Sequence, residues 1–237
     1  MNLDAPDLHR VQRFLASVRD GAGHPDDSRQ RGKGGFFPGL TARPWHLAED
    51  WDVTRAVTAV LEGRAADILA EHVRASAAST FLSRHPASEL HPTLTGKAWG
   101  IHEVWRGGRF QPGARRSLPV LCAALDELTP WLAPTGQVAF HGMEPGARLR
   151  PHADGPNTTL TCHLGVDVPD GCWLRVGGET RTWTNGRCLW FDHSFEHDAA
   201  NESALPRTIL LLDIVHPDIT PAELAFWSQR WAQHAGR

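Results

Sequence analysis

From Gln137 onward the apolar residues stop recurring at helical spacing and begin to alternate, and this change of period constrains the fold more than any other feature. Eight strand candidates follow one another: 137–143, 147–152, 158–166, 172–176, 179–184, 187–192, 196–201 and 207–215. Gly177-Gly178 and Asn185-Gly186 stand where tight hairpins require positive φ. Short, evenly spaced strands joined by such turns predict an antiparallel sandwich or barrel.

The chain before Gln137 reads differently. Leu8, Val11, Leu15 and Val18 place a helix over Leu3 to Val18. Residues 20–35 are rich in Gly, Asp, Arg and Ser and are expected as a mobile loop. The apolar run Phe36-Phe37-Pro38-Gly39-Leu40 and the following Pro44-Trp45-His46 are expected to pack across a core edge. A long helical pattern covers 51–76, with Gly63 dividing it. Residues 77–94 are irregular, Lys97 to Val104 reads as a strand turned by Gly107-Gly108, and Leu118 to Leu128 as a helix. A last helix, Pro221 to His234, starts after Thr220, an N-cap with Glu223 three residues on. The expected organisation is one domain over 1–237: N-terminal helix and loop (1–35), helical and strand support (36–135), β core (136–220) and C-terminal helix (221–237). A chain of 237 residues is long enough for one substantial core.

Charged residues are 22% and the net charge is -3, which argues against a polyphosphate-binding surface and hence against nucleic acid as partner. No apolar run approaches the ~18 residues that span a membrane, and the N-terminus carries no signal-peptide core. No membrane partner and a cytoplasmic location are therefore expected. Cys122, Cys162, Cys172 and Cys188 show no CxxC spacing and read as buried thiols.

His152 and Asp154 lie two apart, so an extended strand points both to one face. His197 reaches that face only if the chain between folds back as a sheet. Two imidazoles and a carboxylate on one side of an ion form a facial triad, a set that suits Fe(II) and leaves positions for a bidentate 2-oxo acid and O2. Arg207 leads into the apolar run Thr208 to Val215, where a buried guanidinium needs an anionic partner. It suits the far carboxylate of that 2-oxo acid. His163 shares a face with Thr159 and Thr161, either to hydrogen-bond the co-substrate or as a satisfied core histidine. His193 competes with His197 as a ligand but falls on the opposite face if the turn is extended. His141 is placed to line the same cavity. Arg148 and Arg150 share parity with His152 and could bind an acidic substrate, with a solvated rim the plainer reading for Arg148. Rival readings are a non-redox, cupin-like binding protein and a zinc hydrolase, since zinc accepts the same ligands.

Residues 137–220 resemble the aspartyl/asparaginyl β-hydroxylase family of 2-oxoglutarate/Fe(II) oxygenases. The likeness is carried by Glu144-Pro145-Gly146, Pro151-His152, Gly155-Pro156, Cys162-His163-Leu164-Gly165, Asp170-Gly171-Cys172, Thr182-Trp183, Gly186, Phe191-Asp192, Ser194-Phe195-Glu196-His197, Arg207 and His216-Pro217, and upstream by Phe37-Pro38-Gly39-Leu40 and Pro44-Trp45-His46. The resemblance implies a mainly β fold, a double-stranded β-helix (a cupin-like jelly roll) with flanking helices. It implies His152 and His197 as iron ligands, His163 and Arg207 as 2-oxoglutarate contacts, and Trp99, more loosely, in the cofactor pocket. It differs from the family's animal enzymes at three places: Asp154 stands where they have Gly, Thr161 where they have an Arg that contacts acidic ligands, and His141 where they have a Ser that helps hold the co-substrate. They also carry a membrane anchor and a repeat domain, which this sequence does not show. The expectation is an iron(II), 2-oxoglutarate and O2-dependent hydroxylase acting on an unactivated carbon, the β-carbon of an amino acid that is free, carrier-tethered or in a peptide. Succinate and CO2 are the expected co-products. Hydroxylation of a lipid acyl chain is a further alternative within the family.

Overall fold

All eight strand candidates after Gln137 form, and they divide between two facing sheets. The structure, a computed structural model, describes residues 8–20, 24–77, 83–85, 94–95 and 99–235. Five strands precede the eight: β1 (Trp45–His46), β2 (Ser83–His85), β3 (Leu94–Thr95), β4 (Trp99–Arg106) and β5 (Arg109–Phe110). The eight are β6 (Gln137–Met143), β7 (Arg148–His152), β8 (Thr159–Asp167), β9 (Cys172–Val176), β10 (Glu179–Arg181), β11 (Cys188–Phe191), β12 (His197–Asn201) and β13 (Arg207–Val215). One sheet runs β1-β11-β8-β13-β6-β4-β2, with β5 on β4, and the other runs β10-β9-β12-β7-β3. Counted from β6, strands one, three, six and eight lie in the first sheet and two, four, five and seven in the second. All their pairings are antiparallel. That interleaving is a double-stranded β-helix, the jelly roll expected of the chain.

Gly177 and Gly178 take φ of 56° and 91° in the β9–β10 hairpin, as predicted. Asn185-Gly186 also turns the chain, with Gly186 at φ 77°, but it does not close a hairpin. It carries the chain from β10 in the smaller sheet to β11 in the larger, a crossing that local sequence does not reveal.

The helices are α1 (His9–Asp20), α2 (Asp52–Glu62), α3 (Ala65–Ala77), the short α4 (Ala114–Ser117), α5 (Pro119–Leu128) and α6 (Pro221–Ala235). The break between α2 and α3 falls at Gly63-Arg64, as the glycine predicts. Val57, Leu61, Ile68, Leu121 and Leu125 of α2, α3 and α5 share one core with Leu160, Cys162, Leu164, Leu210, Leu212 and Ile214. These helices therefore cover the outer face of the larger sheet. The alternate residues of the same two strands, Thr159, Thr161 and His163 on β8 and Arg207, Ile209, Leu211 and Asp213 on β13, turn inward between the sheets. Burial on both faces is why β13 reads as a nearly continuous apolar run.

Thr220 and Glu223 form the predicted capping box: Glu223 N–H donates to Thr220 Oγ1 at 3.3 Å and Thr220 N–H donates to Glu223 Oε2 at 2.9 Å. The same carboxylate receives Arg10 Nε and Nη2 at 2.8 and 2.6 Å, which ties α1 to α6. Burial alone would raise the Glu223 pKa, but the Arg10 hydrogen bonds and charge and the Thr220 donors outweigh it and hold the carboxyl below its ordinary range. A carboxylate so lowered stabilises the fold above its unfolded pKa and loses that contribution as pH falls through the folded value. Glu223→Ala is expected to reduce stability by about 2 kcal/mol at neutral pH. Denaturant melts at falling pH should show the difference from the parent shrinking through the acid limb.

Candidate functional site

His152 ends β7 and His197 begins β12, and the two are direct cross-strand partners in the smaller sheet. Their rings stand 4.2 Å apart between centroids. Asp154 lies beyond the end of β7, in the following loop, so the expectation that strand alternation aligns it with His152 is corrected. The loop turns it back instead. Its N–H donates to the His193 carbonyl at 3.1 Å, and its carboxylate Oδ2 reaches to 3.6 Å from His197 Nε2. One ligand atom from each of His152, Asp154 and His197 lies within 4.8 Å of the others.

The backbone fixes both imidazoles. His152 Nδ1 sits 2.8 Å from the Arg150 carbonyl and His197 Nδ1 2.9 Å from the Phe195 carbonyl. A carbonyl only accepts, so both Nδ1 atoms carry the proton and both Nε2 atoms keep a lone pair for an ion. Burial would raise the Asp154 pKa, but the surrounding imidazoles, His197 foremost and then His152 and His193, hold the carboxyl well below the ordinary range. Two neutral imidazoles and one carboxylate, aimed at one point, fit a divalent cation of the Fe(II) class.

The stretch predicted as a mobile loop is pinned against these ligand loops at residues 30–33. Arg31 N–H donates to the Ser194 carbonyl at 2.7 Å and Lys33 N–H to the Asp154 carbonyl at 2.9 Å. Gln30 Nε2 donates to Ser194 Oγ at 3.0 Å and to Asp192 Oδ2 at 3.2 Å. Between them, Gly32 passes so close that a Cβ there would collide with the Gly155 carbonyl and lie 2.9 Å from Ser194 Cβ. Composition suggested mobility because the tethers are long-range and mostly backbone. Gly32→Ala is expected to push the Asp154 loop outward and weaken Fe(II) binding by about 10–100-fold, the usual range for losing support behind a ligand. Anaerobic metal titration measures this, with thermal unfolding to show the core intact.

A cavity of about 570 Å³ opens between the sheets beside the three ligands. Arg207 lies at one end, 4% exposed. Its Nη1 donates to the His141 carbonyl at 3.3 Å, its Nη2 contacts Met143 Sδ at 2.9 Å, and its guanidinium lies 4.6 Å from the Trp183 ring centre. Its Nε has no partner, and no carboxylate pairs with it among the described residues. Burial lowers its pKa to about 10, which leaves it charged at neutral pH. His163 is buried beside it. Trp183 Nε1–H donates to His163 Nδ1 at 3.3 Å, so the ring proton sits on Nε2, which is buried without a partner. Burial, then the charges of Arg207, His141 and His197, push its pKa well down, so the ring is neutral.

Of the other sequence candidates, His141 and Thr161 line the cavity. Arg150 is not brought in: its side chain is exposed, and only its carbonyl serves the site, by orienting His152. Trp99 opens β4 opposite Met143, and its side chain lies outside the described residues. His193 stands outside the triad and joins a polar chain on the cavity wall. Its Nε2 is 3.1 Å from Thr159 Oγ1 and its Nδ1 3.0 Å from Thr161 Oγ1, and Thr161 Oγ1 donates to Asp213 Oδ1 at 2.8 Å. Trp183 and Asp213 went unmarked in the sequence as site residues. The inward parity of Asp213 with Arg207 was the available signal for one, and nothing local signalled the other.

The family model for aspartyl/asparaginyl β-hydroxylase matches residues 62–217, which contain all three ligands, His163 and Arg207. The chain belongs to the aspartyl/asparaginyl β-hydroxylase family. The mouse protein named aspartyl/asparaginyl β-hydroxylase is 35% identical over 127 residues, covering 53% of this chain and 17% of that protein. Human aspartate β-hydroxylase domain-containing protein 2 is 30% identical over 193 residues, covering 79% of this chain and 51% of that protein. This β-hydroxylase-family chain thus matches only about half, or less, of the length of these relatives. Among solved structures, a Pseudomonas putida prolyl-4-hydroxylase aligns at a TM-score of 0.46 and 20% identity over 68% of this chain and 98% of that one. Among the described residues of this family member, no helix is long and apolar enough to cross a membrane.

Proposed function

We propose that the chain is an Fe(II)/2-oxoglutarate-dependent dioxygenase that hydroxylates an unactivated carbon, the β-carbon of an amino acid presented free, carrier-tethered or within a peptide. Succinate and CO2 are its co-products. The observation that carries this reading is Arg207: a buried, charged guanidinium without an anionic partner, in the same cavity as a His/Asp/His ligand set. A cavity for neutral ligands has no use for such a group, whereas a dicarboxylate co-substrate supplies the missing anion.

In this reading His152 and His197 hold the iron through Nε2 and Asp154 through its carboxylate. The bound iron, with 2-oxoglutarate and O2, supplies the oxidising chemistry. The chain supplies position. Arg207, braced by the His141 carbonyl and stacked on Trp183, holds the far carboxylate with a charge-assisted pair of donors. His163, kept in one tautomer by Trp183, offers its Nε2 proton to an acceptor in the cavity. Met143, Leu149, Leu174 and Phe191 line the walls and keep water from the reacting carbon. Anaerobic addition of Fe(II) and 2-oxoglutarate is expected to give a weak visible charge-transfer band, and O2 should then release succinate. Intact protein that yields neither band nor succinate would overturn the assignment.

A further inference from the structure

Asp213 is a buried acidic side chain that the proposed reaction leaves unused, and burial pushes its pKa up against the opposing effects of His193 and of the Thr161 and Gln137 donors. It faces the cavity from the far part of β13, 8% exposed. Six strand positions separate it from Arg207, about 20 Å at ~3.3 Å per residue. Contacts give the order between these ends. Trp183 meets both Arg207 and His163, the Phe191 ring lies between His163 and His197, Asp154 N–H donates to the His193 carbonyl, and His193 reaches Asp213 through Thr161. The cavity is therefore polarised, with a cation at one end, the metal ligands between, and a carboxylate at the other.

The hydrogen-bond partners of that carboxyl are one hydroxyl and one backbone amide. Thr161 Oγ1 donates to Oδ1 at 2.8 Å and Gln137 N–H to Oδ2 at 3.3 Å. Because Thr161 gives its proton to Asp213, it accepts from His193 Nδ1–H, and His193 Nε2 lies 3.1 Å from Thr159 Oγ1. Arg106 lines the same cavity but donates to Glu103 and, at 3.0 Å, to Gln137 Oε1. No Lys or Arg pairs with Asp213 among the described residues. Burying a carboxylate with neutral donors alone is unfavourable, and a cation completes it best.

We propose that Asp213 docks a positively charged nitrogen of the substrate, so that the enzyme selects molecules bearing an ammonium or guanidinium group over neutral or anionic counterparts. This rests on the reading of the site as a 2-oxoglutarate oxygenase with its co-substrate at the Arg207 end. The span from Asp213 to the iron ligands then sets how far from that nitrogen the reacting carbon lies.

The test compares succinate release by the Fe(II)-loaded protein across amines and amino acids, lysine, ornithine and arginine among them, each paired with its N-acetylated form. At least one cationic member is expected to raise succinate above the substrate-free background, with kcat/KM at least about tenfold higher than its acetylated partner. Asp213→Asn should raise KM for that compound at least about tenfold, with kcat changed much less. Thr161→Arg, which supplies an internal cation, should give the same loss without removing the carboxylate and covers the case in which Asp213→Asn fails to fold. Acetylated partners as active as their parents, no response to any cationic compound, or unchanged KM in a folded variant would each overturn the proposal. The visible band with Fe(II) and 2-oxoglutarate separates the two failures: if it forms and cation preference is absent, the substrate inference falls alone, and if it never forms, the oxygenase reading falls first.

Discussion

Arg207→Met is expected to unfold at a higher temperature than the parent and to bind 2-oxoglutarate at least about 100-fold more weakly. Arg207 is 4% exposed, its Nε has no partner, and its Nη atoms meet only a carbonyl and a thioether. A charge in that position lowers the stability of the fold without its ligand. Replacing buried ionic groups by apolar ones of similar volume is neutral or stabilises by about 1–4 kcal/mol. Binding should move the opposite way, because losing a buried charge partner typically costs about 2–5 kcal/mol. Arg207→Lys keeps the charge but loses the planar fork and the stacking on Trp183, so an intermediate loss is expected. Thermal melts with and without 2-oxoglutarate, beside anaerobic titration of the visible band, measure both quantities. A variant less stable than the parent, yet binding 2-oxoglutarate as well, would mean that the guanidinium serves the fold and not the co-substrate.

His197→Ala is expected to abolish detectable Fe(II) binding and to bring succinate formation down by more than about 1000-fold, beyond the ~10–100-fold typical of losing a supporting residue. Three groups define the ion's position, and removing one leaves two that do not enclose it. His197 is also the best fixed of the three, buried, with its Nδ1 held by the Phe195 carbonyl and its ring beside His152. His193, four residues earlier, does not substitute for it, because both its ring nitrogens face Thr159 and Thr161. Inductively coupled plasma analysis of reconstituted protein, with succinate assays on the same sample, checks this. His193→Ala serves as the comparison and should retain the metal.

The period-two pattern made the eight core strands legible because their faces are chemically distinct at the turns and glycines mark where positive φ is needed. His152, His197 and Arg207 were legible because each stands at the end of a strand, where parity and spacing act together. Asp154 was legible as a residue and misread as geometry. The strand stops at His152, and a hydrogen bond to the His193 carbonyl, which no local rule specifies, turns the carboxylate inward. The same limit explains residues 30–33. Their composition is that of a loop, and only contacts with Ser194, Asp154 and Gly155 hold them. Arg150 shows the converse: the pairing with β12 shifts register between Leu149 and His152, so those two face the cavity and Arg150, expected on the same face as His152, is exposed.

Because carbonyls two residues upstream choose the tautomer of both imidazoles, the backbone itself aims the ring lone pairs. Loading should therefore leave the far-ultraviolet dichroism unchanged, unlike small domains that fold only around zinc. Preorganisation of this kind does not discriminate among first-row dications, whose affinities rise toward copper whatever the protein intends. The metal found after purification will then report what the expression host contained, and turnover numbers become meaningful only after stripping and anaerobic reconstitution.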